Sequence, residues 1–417
     1  MTTTSARPDV TSLLDRFREV RARTDRLTRD LSPEDQTPQS MTEASPAKWH
    51  RAHTTWFFEE FILGSDPGYR PRDPAFRYLF NSYYEAVGER HPRSARGQVT
   101  RPGVAEVAAY REDVEQQVAD RVASGAMDES ALALVELGCH HEEQHQELLL
   151  MDLKHLLSGN VIQPTYVDRP PDPDPTAGPA PLRWTRVPGG VVHIGDDGEG
   201  FAFDNERPRH RVWLEDVDVA GRQVTNAEWL EFIADGGYSR PELWLSDGWA
   251  TVQAQGWQAP GYWSHDEDEG WTTFTLSGRR PVVAAEPVCH VSFLEADAFA
   301  RWAGHRLPTE HEWEAHAASG RETRGGLLDP ARCHPGPARE VAALGDVWEW
   351  TASAYLPYPG FETAPGAVGE YNGKFMNDQH VLRGASAITP PDHPRTTYRN
   401  FFPAASRWVF AGLRLAR

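Results

Sequence analysis

The sequence predicts a two-part fold, a helical bundle followed by an irregular α+β domain. Three observations carry this expectation. The first 160 residues hold four long amphipathic segments. Residues 168–181 (DRPPDPDPTAGPAP) are rich in Pro, Asp and Gly, and the remainder is rich in Gly, Trp and Pro with only short apolar stretches. A length of 417 residues also points to two or three domains, at roughly 150 residues per domain.

Each element has its own warrant. Within residues 10–30, Val10, Leu13, Leu14, Phe17, Val20 and Leu27 fall at helical spacing, and Leu31-Ser32-Pro33 ends the run. A second helix is expected after Ser45-Pro46, through KWHRAHTTWFFEEFIL. A third is expected over Val104 to Val122, and a fourth from Glu129 to Leu157, stopped by Gly159. Four such helices make a four-helix bundle, an architecture that commonly builds metal sites from inward-facing side chains. The Pro-rich stretch holds neither a helix nor a central strand, so it reads as a linker between residues 1–167 and residues 182–417. Past it, short helices are expected at Asn226 to Asp235, Ser292 to Ala303 and Glu310 to Ala318. Val191-Val192-His193-Ile194 and His380-Val381-Leu382-Arg383 read as strands, and no internal repeat is visible.

Hydrophobic residues make up 39% of the chain, a modest fraction, but 15 Trp, 12 Tyr and 17 Phe supply core volume, so a folded protein is expected. The formal charge of -19 repels phosphate backbones, which argues against nucleic acid and anionic membranes as partners. Cys139, Cys289 and Cys333 are far apart and form no CxxC, as expected in a reducing compartment. The first residues carry no apolar secretion core and no run approaches 18 apolar residues, so a cytoplasmic location is expected.

The fourth helix contains Gly138-Cys139-His140-His141-Glu142-Glu143-Gln144-His145-Gln146-Glu147. His141 and His145 are four apart, so both rings leave one face and can share a metal. His140 meets Gln144 at that spacing and has no such partner. A third ligand has to come from another helix, and His50 and His53 on the second helix are the best sources. The plain alternative is a surface coincidence, with Glu142, Glu143 and Glu147 as a solvated face. Three neutral nitrogens suit zinc or iron.

Both regions resemble the ergothioneine-biosynthesis sulfoxide synthases, or hercynine oxygenases. The family motif His-x3-His-x-Glu matches His141, His145 and Glu147. The motif around its preceding iron ligand, Ala-His-Thr-Thr-Trp-Phe-Phe, matches Ala52 to Phe58 and selects His53 over His50. LFNSYYEAVGERHPR, GDVWEWTASAYLPYPGF, YNGKFMNDQHVLRG and YRNFFP also look like the family, in order along nearly the whole chain. The resemblance implies a DinB-like four-helix bundle followed by a domain like the formylglycine-generating enzyme, a variant of the C-type lectin fold. It implies an iron-dependent oxidoreductase that takes hercynine (trimethylhistidine), dioxygen and a thiol, cysteine or γ-glutamylcysteine, and makes a sulfoxide with a new carbon–sulfur bond. It moves the expected metal from zinc to Fe(2+), with His53, His141 and His145 as ligands. Gln144 is then expected beside the bound imidazole.

Asn81-Ser82-Tyr83-Tyr84 resembles the tyrosine pair that one branch of the family uses at the iron, where a phenol donates a proton or hydrogen atom. Tyr84 is favoured over Tyr83; the plain alternative is bundle packing. Tyr398-Arg399-Asn400-Phe401-Phe402-Pro403 suits hercynine, since aromatic faces hold a quaternary ammonium. Phe401 and Phe402 would form the wall and Asn400 would bond the carboxylate, whereas Trp408, Val409 and Phe410 read as core. Of the loop arginines Arg90, Arg93 and Arg96, the last two look most like the family's donor-binding positions, where a guanidinium fork meets a carboxylate. Trp348-Glu349-Trp350 and Arg306 to Glu310 read as scaffold.

Four competing functions differ in testable ways. A zinc-dependent thiol transferase would explain a DinB-like bundle but not the second domain. A formylglycine-generating oxidase needs a cysteine pair, and Cys289 and Cys333 are not in segments that look like one. A non-catalytic module would have no use for three histidines. A selenoneine synthase shares the hercynine acceptor but takes selenium from a selenosugar. Here Gly384-Ala385-Ser386-Ala387 and Asn377-Asp378-Gln379 depart from the usual pattern. A carboxylate at Asp378 would disfavour an anionic amino-acid donor, and with Asn377 would suit a sugar's hydroxyls.

Overall fold

Helical propensity and burial agree along the first part of the chain. The computed structural model describes residues 10–168, 178–319, 323–339 and 342–417. Most of the expected linker, residues 169–177, lies outside the described residues. The helices are Val10–Thr28 (α1), Ala47–Phe58 (α2), the single turn Phe76–Leu79 (α3), Val104–Ala123 (α4) and Glu129–Ser158 (α5). The Asp128 side chain caps α5 by accepting from Ala131 N–H at 2.8 Å, and Gly159 stands at its C-cap. The second helix does not continue as α-helix to Leu63. It widens into a π-helical turn over Glu59–Leu63, and Gly64 N–H donates five residues back to the Glu59 carbonyl at 2.7 Å.

Helix α1 packs on α4 and α5, and α2 packs on the same two, which is the expected four-helix bundle. Every residue of α2 is buried. Gly138 on α5 lies against Phe58: a Cβ there would stand 2.4 Å from the Phe58 ring. The missing side chain therefore lets the two helices approach closely, three residues before His141.

The acidic run on α5 is not a solvated face. Glu142 and Glu143 are wholly buried and Glu147 nearly so. Glu142 accepts from Arg21 at 2.8 Å, Arg111 at 2.9 Å and Thr24 at 2.6 Å, so three helices meet on one carboxylate. Burial alone would raise its pKa, but the two guanidiniums outweigh that and hold it at about 2. Glu143 accepts from Arg16 at 2.7 Å and Arg23 at 3.4 Å.

Two compact units partition the described chain. The first comprises the described part of Met1–Gly159 together with Gly198–Phe201 and Ala364–Tyr371; the second comprises Asn160–Asp197, Ala202–Thr363 and Asn372–Arg417. The second is α+β. Its first strands are Trp184–Val187 (β1), Gly190–Ile194 (β2), His210–Leu214 (β3) and Val217–Ala220 (β4), with antiparallel pairs β1–β4 and β2–β3. Next come helices Asn226–Ala234 (α6) and Ser246–Gln255 (α7), then a three-stranded sheet of Trp263–Asp266 (β5), Gly270–Thr275 (β6) and Gly278–Pro281 (β7). Helices Phe293–Trp302 (α8) and Glu310–Ser319 (α9) precede the small parallel pair Thr323–Arg324 (β8) and Ala342–Leu344 (β9). Capping boxes Thr225/Glu228 and Ser292/Glu295 start α6 and α8. Helix α7 has no counterpart among the expected elements.

A four-stranded sheet of Trp348–Ala354 (β10), His380–Arg383 (β11), Asn400–Phe402 (β12) and Ala411–Leu413 (β13) runs in the order β12-β11-β10-β13. Its centre is Glu349, wholly buried, which accepts from Trp313 Nε1 at 2.6 Å, Gln223 at 2.9 Å and Arg414 Nε and Nη2, each at 2.8 Å. The Trp348-Glu349-Trp350 segment is thus scaffold, as expected. No helix of the described residues is long and apolar enough to cross a membrane.

Candidate metal centre

Two helices bring three imidazoles together. His141 and His145 sit one turn apart on α5, with ring centroids 4.6 Å apart. His53 on α2 stands 4.9 Å from the first and 4.7 Å from the second. One nitrogen from each of the three lies within 4.8 Å of the others. His53 is stacked on Trp49, with centroids at 4.6 Å and planes at 10°, and its Nδ1 donates to the Phe80 carbonyl at 2.6 Å. That bond leaves the lone pair on Nε2, which faces His141 Nε2 at 3.1 Å. His141 Nδ1 is buried without a hydrogen-bond partner among the described residues.

Burial lowers all three pKa values, and takes His141 down to about 3. Neighbouring imidazoles push His53 and His145 further down. Neutral rings with convergent lone pairs are the donor set that iron or zinc takes. His50 is not part of the cluster. Its Nδ1 lies 2.8 Å from His145 Nδ1 and its Nε2 lies 3.1 Å from Asp152 Oδ2.

Of the remaining candidates of the first unit, Tyr84 and Arg96 are buried and Arg93 is exposed. Tyr84 is wholly buried against Trp56, Phe61 and Tyr83. An Asn81 turn fixes it, with Tyr84 N–H donating to Asn81 Oδ1 at 3.0 Å. Arg96 is buried over the Trp49 ring, 3.5 Å from its centroid, and donates to the hydroxyls of Ser45 at 2.9 Å and Ser82 at 3.0 Å. Among the described residues no carboxylate bonds this guanidinium. Arg93 is exposed and donates to the Glu43 carbonyl; Arg90 pairs with Glu85 at 2.7 Å.

Sequence reasoning missed one residue here. Tyr371 places its ring 5.5 Å from that of His141 and 6.1 Å from that of Tyr83, and its hydroxyl donates to Gln144 Oε1. The segment is tied down by Glu370, which accepts from the backbone N–H groups of Glu85 at 2.9 Å and Ala86 at 2.8 Å. The available signal was that Tyr371 opens the family-like YNGKFMNDQHVLRG segment.

Four candidates belong to the second unit. Asn400, Phe401 and Phe402 form β12 and are half-buried. Phe401 stacks on Tyr355 at 4.1 Å and lies beside Phe375 at 5.9 Å, while Phe402 meets Trp408 edge-on. Asn400 Oδ1 accepts from Phe401 N–H at 2.9 Å. Asp378 is exposed at a φ of 53° and accepts from the Asn377 amide at 3.3 Å. Cys139, Cys289 and Cys333 are all buried free thiols.

A histidine-bearing helical bundle joined to this α+β architecture defines a two-module class. The DinB superfamily model matches residues 16–149, and the sulfatase-modifying factor enzyme 1-like domain matches residues 172–329 and 341–417. The chain is 34% identical over 407 residues to the hercynine oxygenase of Mycolicibacterium smegmatis, spanning 89% of this chain and 91% of that one. It is 34% identical over 434 residues to the hercynine oxygenase of Mycobacterium tuberculosis, spanning 95% and 96%. A formylglycine-generating enzyme of Streptomyces coelicolor is 36% identical over 294 residues, spanning 57% of this chain and 87% of that one. The chain belongs to the hercynine oxygenase family, the ergothioneine-biosynthesis sulfoxide synthases.

Proposed function

We propose that this protein is a cytoplasmic, non-haem iron(II)- and dioxygen-dependent enzyme. It joins the sulfur of cysteine or γ-glutamylcysteine to the imidazole of hercynine, with sulfoxide formation. The observation that carries this reading is the convergence of His53, His141 and His145 within 4.8 Å. His53, His141 and His145 would hold the iron, which when bound would supply the one-electron chemistry that dioxygen requires.

The chain's own residues do the rest. Gln144, held by Tyr371, orients the substrate imidazole through its amide. The phenols of Tyr84 and Tyr83 hold the proton or hydrogen atom that the reaction needs. Arg96, buried without a carboxylate among the described residues, and Arg93 receive the donor's carboxylate. Phe401 and Phe402 offer aromatic faces to the quaternary ammonium, and Asn400 bonds the carboxylate of hercynine.

One observation favours a second reading, in which selenium from a selenosugar replaces the thiol. Asp378 sits exposed beside Asn377, a pair that suits hydroxyls and repels a carboxylate. At about 4 Å and an effective dielectric near 20, like charges cost roughly 4 kcal/mol. The test is anaerobic incubation with hercynine and each donor, then oxygen and mass spectrometry, in wild type and Asp378→Ala. A thiol-derived sulfoxide supports the first reading, a selenium adduct the second, and no adduct from any donor overturns both.

A further inference from the structure

His50 lies between two residues of the same helix. His145 and Asp152 are two turns apart on α5, so they project from one face. The His50 ring reaches in from α2 and meets both, Nδ1 to His145 Nδ1 at 2.8 Å and Nε2 to Asp152 Oδ2 at 3.1 Å. Asp152 Oδ2 is itself fixed by the Ser45 backbone N–H at 2.8 Å. All three side chains are buried: His50 is 3% exposed, His145 9% and Asp152 5%.

The direction of each hydrogen bond follows from one end of this chain. A carboxylate oxygen accepts, so His50 Nε2 carries the proton and donates to it. A neutral imidazole with a proton on Nε2 has its lone pair on Nδ1. His145 Nδ1 must then donate to His50, which leaves the lone pair of His145 on Nε2. We infer that Asp152 and His50 are positioning residues that lock His145 in the tautomer whose Nε2 is free to bind a metal. The inference rests on the three-histidine reading of the site, and it assigns to His50 a role outside the ligand set.

The placement also has a mechanical consequence. His53 is oriented by the Phe80 carbonyl, and His145 by Asp152 through His50, so two of the three rings have their orientation set from behind. Groups that orient a metal-binding histidine in this way are worth roughly 10–100-fold in metal affinity.

The test uses the full chain stripped of metal and two readouts. The first is titration with cobalt(II) alone, for wild type, His50→Phe, Asp152→Leu and Asp152→Asn, with thermal melting of each metal-free form as a check on folding. His50→Phe and Asp152→Leu are expected to lose roughly 10–100-fold in cobalt affinity. Asp152→Asn keeps an oxygen for Ser45 N–H and His50 Nε2 and is expected to stay within about threefold of wild type. The second readout needs no metal. Nitrogen NMR of histidine-labelled protein, with His145 identified by its loss in His145→Gln, is expected to show a protonated Nδ1 in wild type and a shift toward protonated Nε2 in His50→Phe. Cobalt affinity within about threefold of wild type in both His50→Phe and Asp152→Leu, or an unchanged His145 tautomer in folded His50→Phe, overturns the inference. A wild-type protein that binds no cobalt while showing the expected tautomer would instead overturn the metal reading and leave the hydrogen-bond chain standing.

Discussion

His53 Nε2 stands 3.1 Å from His141 Nε2, while the opposite nitrogen of His53 is committed to the Phe80 carbonyl at 2.6 Å. Two neutral rings so placed are read as two-thirds of a metal site. Replacing His53, His141 or His145 by alanine is expected to abolish turnover and bound iron, measured by elemental analysis of protein expressed in iron-supplemented medium. Full iron occupancy in His53→Ala would sink the assignment.

The close approach at Gly138 gives a second expectation. A methyl group there meets the Phe58 ring, and overpacking of this kind costs about 1–3 kcal/mol. Gly138→Ala should lower the melting temperature and, because it pushes α5 from α2 beside His53 and His141, weaken any metal binding by these rings as well. A variant that melts and binds metal like wild type would show that the helices have room to spare.

The tyrosines are separable by product analysis. Phenylalanine at Tyr84 or Tyr83 is expected to divert oxygen consumption from bond formation to simple thiol oxidation, read as the ratio of adduct to disulfide. Normal ratios in both single variants remove the pair from the chemistry. Tyr371→Phe is the informative comparison, since its hydroxyl bonds Gln144.

Hercynine should outcompete histidine. Contact between a desolvated quaternary ammonium and aromatic faces is worth on the order of 2 kcal/mol, or roughly thirtyfold in affinity. Competition binding of the two in wild type and Phe401→Leu measures it, and equal affinity in wild type counts against the aromatic wall.

Acid stability should report on Glu286. It is buried beside His334 at 3.1 Å and Arg280 at 2.5 Å. Burial would raise its pKa, but these two groups hold it at about 2. Its folded value thus lies below its unfolded one. The associated stability, on the order of 3 kcal/mol, is present above about pH 4.5 and is lost as pH falls toward 2. Between pH 5 and pH 3, wild type should lose more stability than Glu286→Gln in denaturant titrations; parallel curves would refute the pairing.

Much of the bundle was legible because its signals are local. Pro46, Gly159 and the spacing of apolar residues mark the start of Ala47–Phe58 and both ends of Glu129–Ser158 within one or two positions. The i,i+4 pair on α5 pointed to a shared ligand without any tertiary knowledge. What escaped was non-local. The π-helical turn at Glu59 looks helical in any periodicity count, because its apolar residues keep their order while the hydrogen bonds shift by one. The charge of Glu142 looked like a solvated face because Arg21 and Arg111, which bury it, lie 121 and 31 residues away. Tyr371 was recognised only as part of a familiar segment, since nothing near it in the sequence connects it to Gln144.

That last pairing has a consequence for how the site comes into being. The hydroxyl that meets Gln144 belongs to a residue 227 positions further along the chain. On a ribosome, the helix bearing His141 and His145 is finished long before its tyrosine neighbour exists. A gene fragment ending after α5 would encode all three histidines yet lack the segment Ala364–Tyr371 that completes the first unit. The bundle therefore cannot be transplanted as a cassette: a recombinant or evolutionary shuffle that moves it without its distant partner segment carries the three histidines and leaves a neighbour behind.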